Sequence, residues 1–210
     1  TVDAYWKRIL FTPEDFQKMD IPALHITGWF DGDQPGALSY WDGMRAHSPA
    51  KDKQYLLAGP WTHNETFVGG SLKVGEIEFS GDSVVDVKAL HLAFFDHFLK
   101  GSAPSFDFPR ARIYVTGSNK WRDEREYPPA QAQYRHLYFH SGGKANTLAG
   151  DGRLSWDAPG EEPPDRYTYN PENPVPSGID GQNMGIDQRV IERRDDVLVY
   201  TSEVLQEPLE

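Results

Sequence analysis

Asp31 and His63 are the side chains of this sequence whose types and positions best fit acid–base chemistry. Each lies in a short turn after an apolar run, Asp31 in Gly28-Trp29-Phe30-Asp31-Gly32-Asp33 and His63 in Gly59-Pro60-Trp61-Thr62-His63-Asn64. An imidazole exchanges protons close to neutral pH, and a carboxylate beside it fixes the tautomer and stabilises the imidazolium. Such a pair can activate a serine hydroxyl, which is a poor nucleophile without a base. The two turns therefore predict Asp31 and His63 as catalytic residues.

The elements before these turns would bring the two side chains together. Residues 23–28 and 54–59 are apolar runs that predict buried strands, and residues 34–47 carry apolar side chains at helical spacing. Strand, helix, strand is the pattern of an α/β fold with a parallel sheet, whose catalytic groups gather at the carboxyl ends of strands. An acid that precedes the histidine is also the chain order of the α/β-hydrolases. Further helices are predicted to begin at Thr12-Pro13 and to span residues 82–100.

Each candidate residue also has a simpler interpretation. An aspartate after a strand is often a turn residue, and a single histidine often lies on the surface or in the core. Trp29 and Trp61 either line an acyl pocket or pack against the strand ends. Asp33 either favours a cationic acyl group or caps the helix that follows it, where a carboxylate suits the helix dipole.

The second half of the chain has a different texture. Residues 102–109 resemble a linker, and short alternating runs at 111–116, 134–140, 166–169 and 196–201 predict strands between Gly- and Pro-rich loops. We therefore predict an α/β plus all-β protein: an α/β fold with a parallel sheet, followed by a β-sandwich or jelly roll. The predicted domains are residues 1–106 and 107–210.

Composition limits the partners. Lys and Arg number 21 against 32 Asp and Glu, which gives a formal net charge of −11. That balance argues against nucleic acid and anionic membranes as partners, since both bind clustered basic residues. Cysteine is absent, so disulfides and thiolate metal sites are excluded, while the compartment, cytoplasmic or secreted, stays open.

The turns around Asp31 and His63 are two of several short sequence motifs that follow one another along the chain in a characteristic order. The chain resembles the cocaine esterase-like CocE/NonD hydrolases, a group related to X-Pro dipeptidyl peptidases and α-amino acid ester hydrolases. Besides the two turns, the words that carry the resemblance are Phe94-Phe95-Asp96-His97-Phe98-Leu99-Lys100-Gly101, Ile113-Tyr114-Val115-Thr116-Gly117, Trp121-Arg122-Asp123-Glu124, Asp187-Gln188-Arg189 and Asp195-Asp196-Val197-Leu198-Val199-Tyr200-Thr201-Ser202-Glu203. The set covers nearly the whole chain. Asp33 departs from the cocaine esterase pattern, where the corresponding residue is aromatic.

The resemblance implies a serine hydrolase that forms an acyl-enzyme from an ester, an amide or a short peptide, without a metal or other cofactor. It implies that Asp31 is the acid and His63 the base of the catalytic triad. It also implies that the chain is the C-terminal part of an α/β-hydrolase sheet followed by a partial jelly-roll β-sandwich. In such proteins the serine and an oxyanion-hole tyrosine lie in an N-terminal segment, and no Gly-x-Ser-x-x-Gly word occurs here. Because Thr1 is also not a natural start, we expect the serine outside this chain and expect the chain alone to be inactive.

Two alternatives stay open. The β-rich half could be a non-catalytic module that binds carbohydrate or protein, and it should then present an exposed aromatic or polar platform. A hydrolase should instead bring Asp31 and His63 within hydrogen-bonding distance. We also keep a homo-oligomer as an alternative to a monomer.

Overall fold

The chain forms two units, Thr1–Ala130 and Gln131–Glu210. The first is organised by the two predicted strands at residues 23–28 and 54–59, which both end in glycine and pair in parallel. The computed structural model describes residues 3–177, 184–207 and 209. Strand β1 (Ala23–Gly28) pairs in parallel with β2 (Gln54–Gly59), and Gly28 lies opposite Gly59. The prediction of two strands that end at the same edge of the sheet is confirmed.

Helices connect and cover these strands. They are α1 (Ala4–Ile9), α2 (Pro13–Phe16), α3 (Gln34–His47), α4 (Glu65–Val68) and α5 (Val87–Phe98). Helix α3 joins β1 to β2 over the predicted residues. Helix α5 is shorter than predicted, because the Val85 N–H donates to the Gly69 carbonyl at 2.7 Å and holds that residue outside the helix. The Asp86 carboxylate then caps α5 by accepting from the Ala89 N–H at 2.9 Å.

The sheet of the first unit is covered on both faces. Leu56 and Leu57 are consecutive in β2, so their side chains point to opposite faces. Leu56 packs with Trp41 of α3, whereas Leu57 packs with Val87 of α5. Helices on both faces explain why the strands read as continuous apolar runs.

Two later strands extend the same sheet. After the hairpin of β3 (Lys73–Val74) and β4 (Ile77–Glu78), strand β5 (Ala111–Val115) pairs in parallel with β2, and β6 (Lys120–Glu124) pairs antiparallel with β5. The order is β1-β2-β5-β6. The run at 111–116, which the sequence assigned to the β-rich half, therefore lies in the α/β sheet. The domain boundary at residue 106 stays a prediction.

The second unit contains a three-stranded sheet. Strand β7 (Tyr138–His140) pairs antiparallel with β8 (Arg153–Ser155), which pairs in parallel with β9 (Thr201–Ser202). The predicted strands at 134–140 and 196–201 are thus mostly loop, and residues 166–169 form no strand. The Asp165 carboxylate ties these loops together, since it accepts from the Tyr200 hydroxyl at 2.5 Å and from the Ala145 N–H at 2.8 Å.

Together the two units give a mixed α/β plus β fold. Among the described residues, no helix combines the length and apolar character needed to cross a bilayer.

His140 makes the stability of the second unit pH-dependent. Its Nδ1 lies 2.8 Å from Glu162 Oε1 and its Nε2 lies 2.9 Å from the Asp157 carbonyl oxygen. Both partners only accept, so both ring nitrogens carry protons in this arrangement. The Glu162 carboxylate, with the Asp157 carbonyl, raises the pKa of His140 above 6.5, although Arg153 opposes the shift. The same ion pair lowers the pKa of Glu162.

We expect this pair to contribute stability that is lost as the pH rises. A raised histidine pKa stabilises the fold fully below the unfolded value, about 6.5, and the gain disappears as the pH passes the folded value. Denaturant unfolding from about pH 6 to pH 9 should therefore show a smaller decline in His140→Gln than in the wild type. His136→Gln, which changes an exposed histidine of the same segment, should keep the wild-type decline. Equal declines in wild type and His140→Gln would contradict this.

Candidate active site

Backbone hydrogen bonds tie the two predicted turns together beyond the strand ends. The Trp29 N–H donates to the Gly59 carbonyl at 2.9 Å, and the Phe30 N–H donates to the Trp61 carbonyl at 3.0 Å. This approach requires glycine at position 28, since a Cβ there would lie 2.0 Å from the Trp61 carbonyl oxygen. The turn that carries the acid and the turn that carries the histidine are thus one hydrogen-bonded structure.

Asp31 and His63 lie within hydrogen-bonding distance in this structure. Asp31 Oδ1 is 3.2 Å from His63 Nδ1, and the Asp31 side chain is 6% exposed, against 55% for His63. The same carboxylate oxygen accepts from the Asp33 N–H at 2.9 Å, which fixes its direction. An Nδ1–H that donates to the carboxylate leaves Nε2 to accept a proton from a nucleophile, the arrangement of a catalytic triad.

Asp33 also faces the imidazole. Its Oδ2 lies 3.5 Å from His63 Nδ1, and its side chain is 82% exposed. Asp33 is the N-cap residue of α3, but its side chain makes no capping hydrogen bond. Asp33 thus occupies the N-cap position of α3, while its carboxylate faces the imidazole.

A cavity of about 600 Å³ opens beside these side chains. Strand β1 and helices α3, α4 and α5 supply its walls, and none of the described residues that line it is a serine. The lining residues are Leu24, Ile26, Asp31, Gly32, Asp33, Pro35, Gly36, Ala37, Tyr40, His63, Thr66, Phe67 and His91.

Trp29 and Trp61 pack at the strand ends and are not among the residues that line this cavity. Trp29 Nε1 donates to the Tyr114 carbonyl at 2.6 Å. Trp61 is fully buried, and its Nε1 donates to the Ser83 carbonyl at 2.9 Å. The packing interpretation describes both residues here, and their assignment to a substrate pocket stays a prediction.

The same three side chains could hold a cation. Asp31, Asp33 and His63 each offer one ligand atom, and these atoms lie within 4.8 Å of one another. Two of the three side chains, those of Asp33 and His63, are largely exposed. The expectation that the chemistry needs no metal stays a prediction.

Glu65 and Thr66 are neighbours of His63 that the sequence analysis missed. Glu65 Oε2 accepts from the Thr62 N–H at 3.0 Å and from the Thr62 hydroxyl. The buried Thr66 hydroxyl donates to the His63 carbonyl at 2.6 Å. The sequence does carry a signal for this turn, because Thr62-x-x-Glu65, which encloses His63, has the spacing of a capping box.

Family models match both halves of the sequence. Residues 106–210, half of the chain, match the X-Pro dipeptidyl-peptidase C-terminal non-catalytic domain. Residues 1–65, which contain Asp31 and His63, match the X-Pro dipeptidyl-peptidase S15 family.

Individual relatives agree with these matches. Cocaine esterase of Rhodococcus sp. (strain MB1 Bresler) is 36% identical over 99% of this chain and 36% of its own length. An aminopeptidase of a marine-sediment archaeon, Thaumarchaeota archaeon, has a TM-score of 0.72 and 27% identity over 98% of this chain and 34% of that chain. An α-amino acid ester hydrolase has a TM-score of 0.69 and 25% identity over 98% of this chain and 35% of that chain. The chain thus spans about a third of the length of these relatives, and it belongs to the serine hydrolase family of cocaine esterase-like CocE/NonD enzymes and X-Pro dipeptidyl-peptidases.

Proposed function

We propose that this chain supplies the acid and the base of a serine hydrolase that cleaves an ester or amide through an acyl-enzyme, with the serine outside these 210 residues. The observation that carries the proposal is the 3.2 Å distance between Asp31 Oδ1 and His63 Nδ1. With Nδ1 facing the Asp31 carboxylate, the Nε2 atom of the same ring points away from that carboxylate and can accept a proton from a hydroxyl. The lack of a serine among the described residues that line the adjacent cavity supports an external nucleophile.

The reaction proceeds in two stages, acylation and deacylation, and His63 takes up and releases one proton in each. Its Nε2 removes the proton from the serine hydroxyl as the oxygen attacks the substrate carbonyl carbon, and it returns that proton to the leaving alcohol or amine. The serine then carries the acyl group. His63 next takes a proton from water as that water attacks the acyl-enzyme, and it returns the proton to the serine as the acid leaves. Asp31 stays ionised and holds the imidazolium.

Ester hydrolysis by the whole protein, compared between the wild type and His63→Ala, tests this assignment. The substrate class we propose is a small ester, amide or short peptide. The names of the relatives support that range, since they include an esterase, an amino acid ester hydrolase and an aminopeptidase.

We further propose that Asp33 favours substrates with a cationic acyl group. Its carboxylate lines the cavity and lies close to His63, so an ammonium on the acyl group could approach it while the carbonyl reaches the serine. In water, opposite charges 4 Å apart attract by about 1 kcal/mol. Because Asp33 is largely exposed, we take about 1 kcal/mol as the binding free energy that its charge contributes.

Asp33→Asn should therefore lower kcat/KM for an α-amino acyl ester by about fivefold relative to the matched ester without the amine. Asparagine is as good an N-cap as aspartate, so the change removes charge and keeps the helix start. The ratio of the two kcat/KM values is the measurement, and Asp20→Asn, at an exposed aspartate, is its control. An equal effect on both esters, or no effect on either, would contradict a role of the Asp33 charge in recognising the ammonium.

For the fold, we propose that the first unit is part of an α/β-hydrolase sheet and that the strands of the second unit belong to a jelly-roll sandwich. The parallel β1-β2-β5 pairing supports the former. The match of residues 106–210 to a non-catalytic domain model supports the latter. An experimental structure of the whole protein should contain two packed sheets in that region.

A further inference from the structure

The orientation of His63 depends on its backbone. Its side chain is 55% exposed, so the core does not hold the ring in place. The edge of the Phe67 ring lies against the imidazole with centroids 5.4 Å apart, but Phe67 is itself 65% exposed. Besides the bond to Asp31, the ring therefore depends on the turn that carries His63 for its position.

Glu65 fixes the residue before the histidine. A single carboxylate oxygen accepts from both the N–H and the hydroxyl of Thr62. A charged acceptor makes each bond stronger than a neutral one would. Because Glu65 begins α4 and Thr62 directly precedes His63, these two bonds close the chain into a turn around the histidine.

Thr66 fixes the carbonyl of His63 itself. Its hydroxyl, in a residue that is 7% exposed, donates to the His63 carbonyl at 2.6 Å. The Trp61 carbonyl is in turn held by the Phe30 N–H of the turn that carries Asp31. The Trp61 and His63 carbonyls and the Thr62 N–H and hydroxyl are thus each hydrogen-bonded, and these bonds hold the backbone that places the imidazole beside Asp31.

We propose that Glu65, acting through Thr62, and Thr66, acting through the His63 carbonyl, are positioning residues that hold His63 for proton transfer. Neither has to touch substrate or the reacting atoms. The inference rests on the proposed function, because it assumes that His63 is the base. It predicts that loosening the turn lowers the rate of the chemical step while substrate binding is kept.

In the whole protein, Glu65→Ala should lower kcat about 30-fold with little change in KM, since a displacement of about 1 Å can cost 100-fold in rate. Glu65→Gln keeps an uncharged acceptor of the same shape and should lower kcat by only about threefold. Thr66→Val, which removes only the hydroxyl bond, should lower kcat about tenfold. Glu76→Ala, at an exposed glutamate of the β3–β4 hairpin, is the matched control and should retain the wild-type kcat.

A spectroscopic measurement separates positioning from a general loss of stability. The NMR signal of the proton between His63 Nδ1 and Asp31 should broaden or disappear in Glu65→Ala and persist in Glu65→Gln and Glu76→Ala. Wild-type kcat in both Glu65→Ala and Thr66→Val overturns the inference, and so does a lower kcat with an unchanged proton signal. Those results leave the proposed function intact as long as His63→Ala is inactive. Retained activity in His63→Ala would instead overturn the proposed function.

Discussion

Replacing His63 with alanine in the whole protein is expected to lower kcat for ester hydrolysis about 10,000-fold, with little change in KM. Without an imidazole, no group takes the serine proton in the attack or returns it to the leaving group. Asp31→Asn should cost a similar factor, about 10,000-fold, because an amide neither fixes the required tautomer nor stabilises the imidazolium. Steady-state kinetics with a chromogenic ester measures both effects.

Matched variants test whether these losses are specific. His47 and Asp20 are exposed residues of the same unit, so His47→Ala and Asp20→Asn should retain the wild-type rate. The 210-residue chain by itself should show no turnover that depends on His63. Activity of the isolated chain that disappears in His63→Ala would contradict an external serine, and full activity of His63→Ala in the whole protein would contradict the assigned base.

Gly28→Ala is expected to separate the acid from the histidine without changing either residue. The added Cβ would lie 2.0 Å from the Trp61 carbonyl oxygen, whereas ordinary contacts begin near 3.4 Å. The carbonyl must therefore move away and lose its bond to the Phe30 N–H. We expect kcat to fall about 100-fold and the free energy of unfolding to fall by about 1–3 kcal/mol.

Gly81→Ala is the control for this glycine effect. A Cβ at Gly81 would meet nothing within 4 Å, so stability should change by less than about 1 kcal/mol and kcat should be retained. Denaturant unfolding and ester hydrolysis together provide the measurement. A Gly28→Ala protein with wild-type kcat would mean that the bond between the two turns is not needed to align Asp31 with His63.

Much of the fold around the site was predictable because it depends on local patterns. The runs at 23–28 and 54–59 are mostly apolar, which is typical of strands covered on both faces, and the structure has strands at those residues. The predicted start of α5 was wrong by several residues. The Val85 N–H bonds the carbonyl of Gly69, about fifteen residues earlier in the chain, and this bond keeps Val85 out of the helix. A window of neighbouring residues contains no information about such a bond.

The short strands of the second unit were the least predictable part. Their runs contain β-forming residues, but the loops of this unit are held by side-chain bonds such as those from the Tyr200 hydroxyl and the Ala145 N–H to Asp165. β-propensity depends on neighbours across the sheet, and these neighbours come from distant parts of the chain.

The sequence by itself determined which side chains could do chemistry. Asp31 and His63 follow glycine-terminated runs in the order acid then histidine, and the same words identify the family. Only the tertiary structure decided how the two are held. It placed the Trp61 carbonyl against Gly28, buried Trp61 in the core, turned Asp33 towards the imidazole and closed Glu65 onto Thr62. The contacts of Trp61 with Gly28 and of Asp33 with His63 depend on the register between β1 and β2, and register is a property of two strands in contact, which neither strand specifies alone.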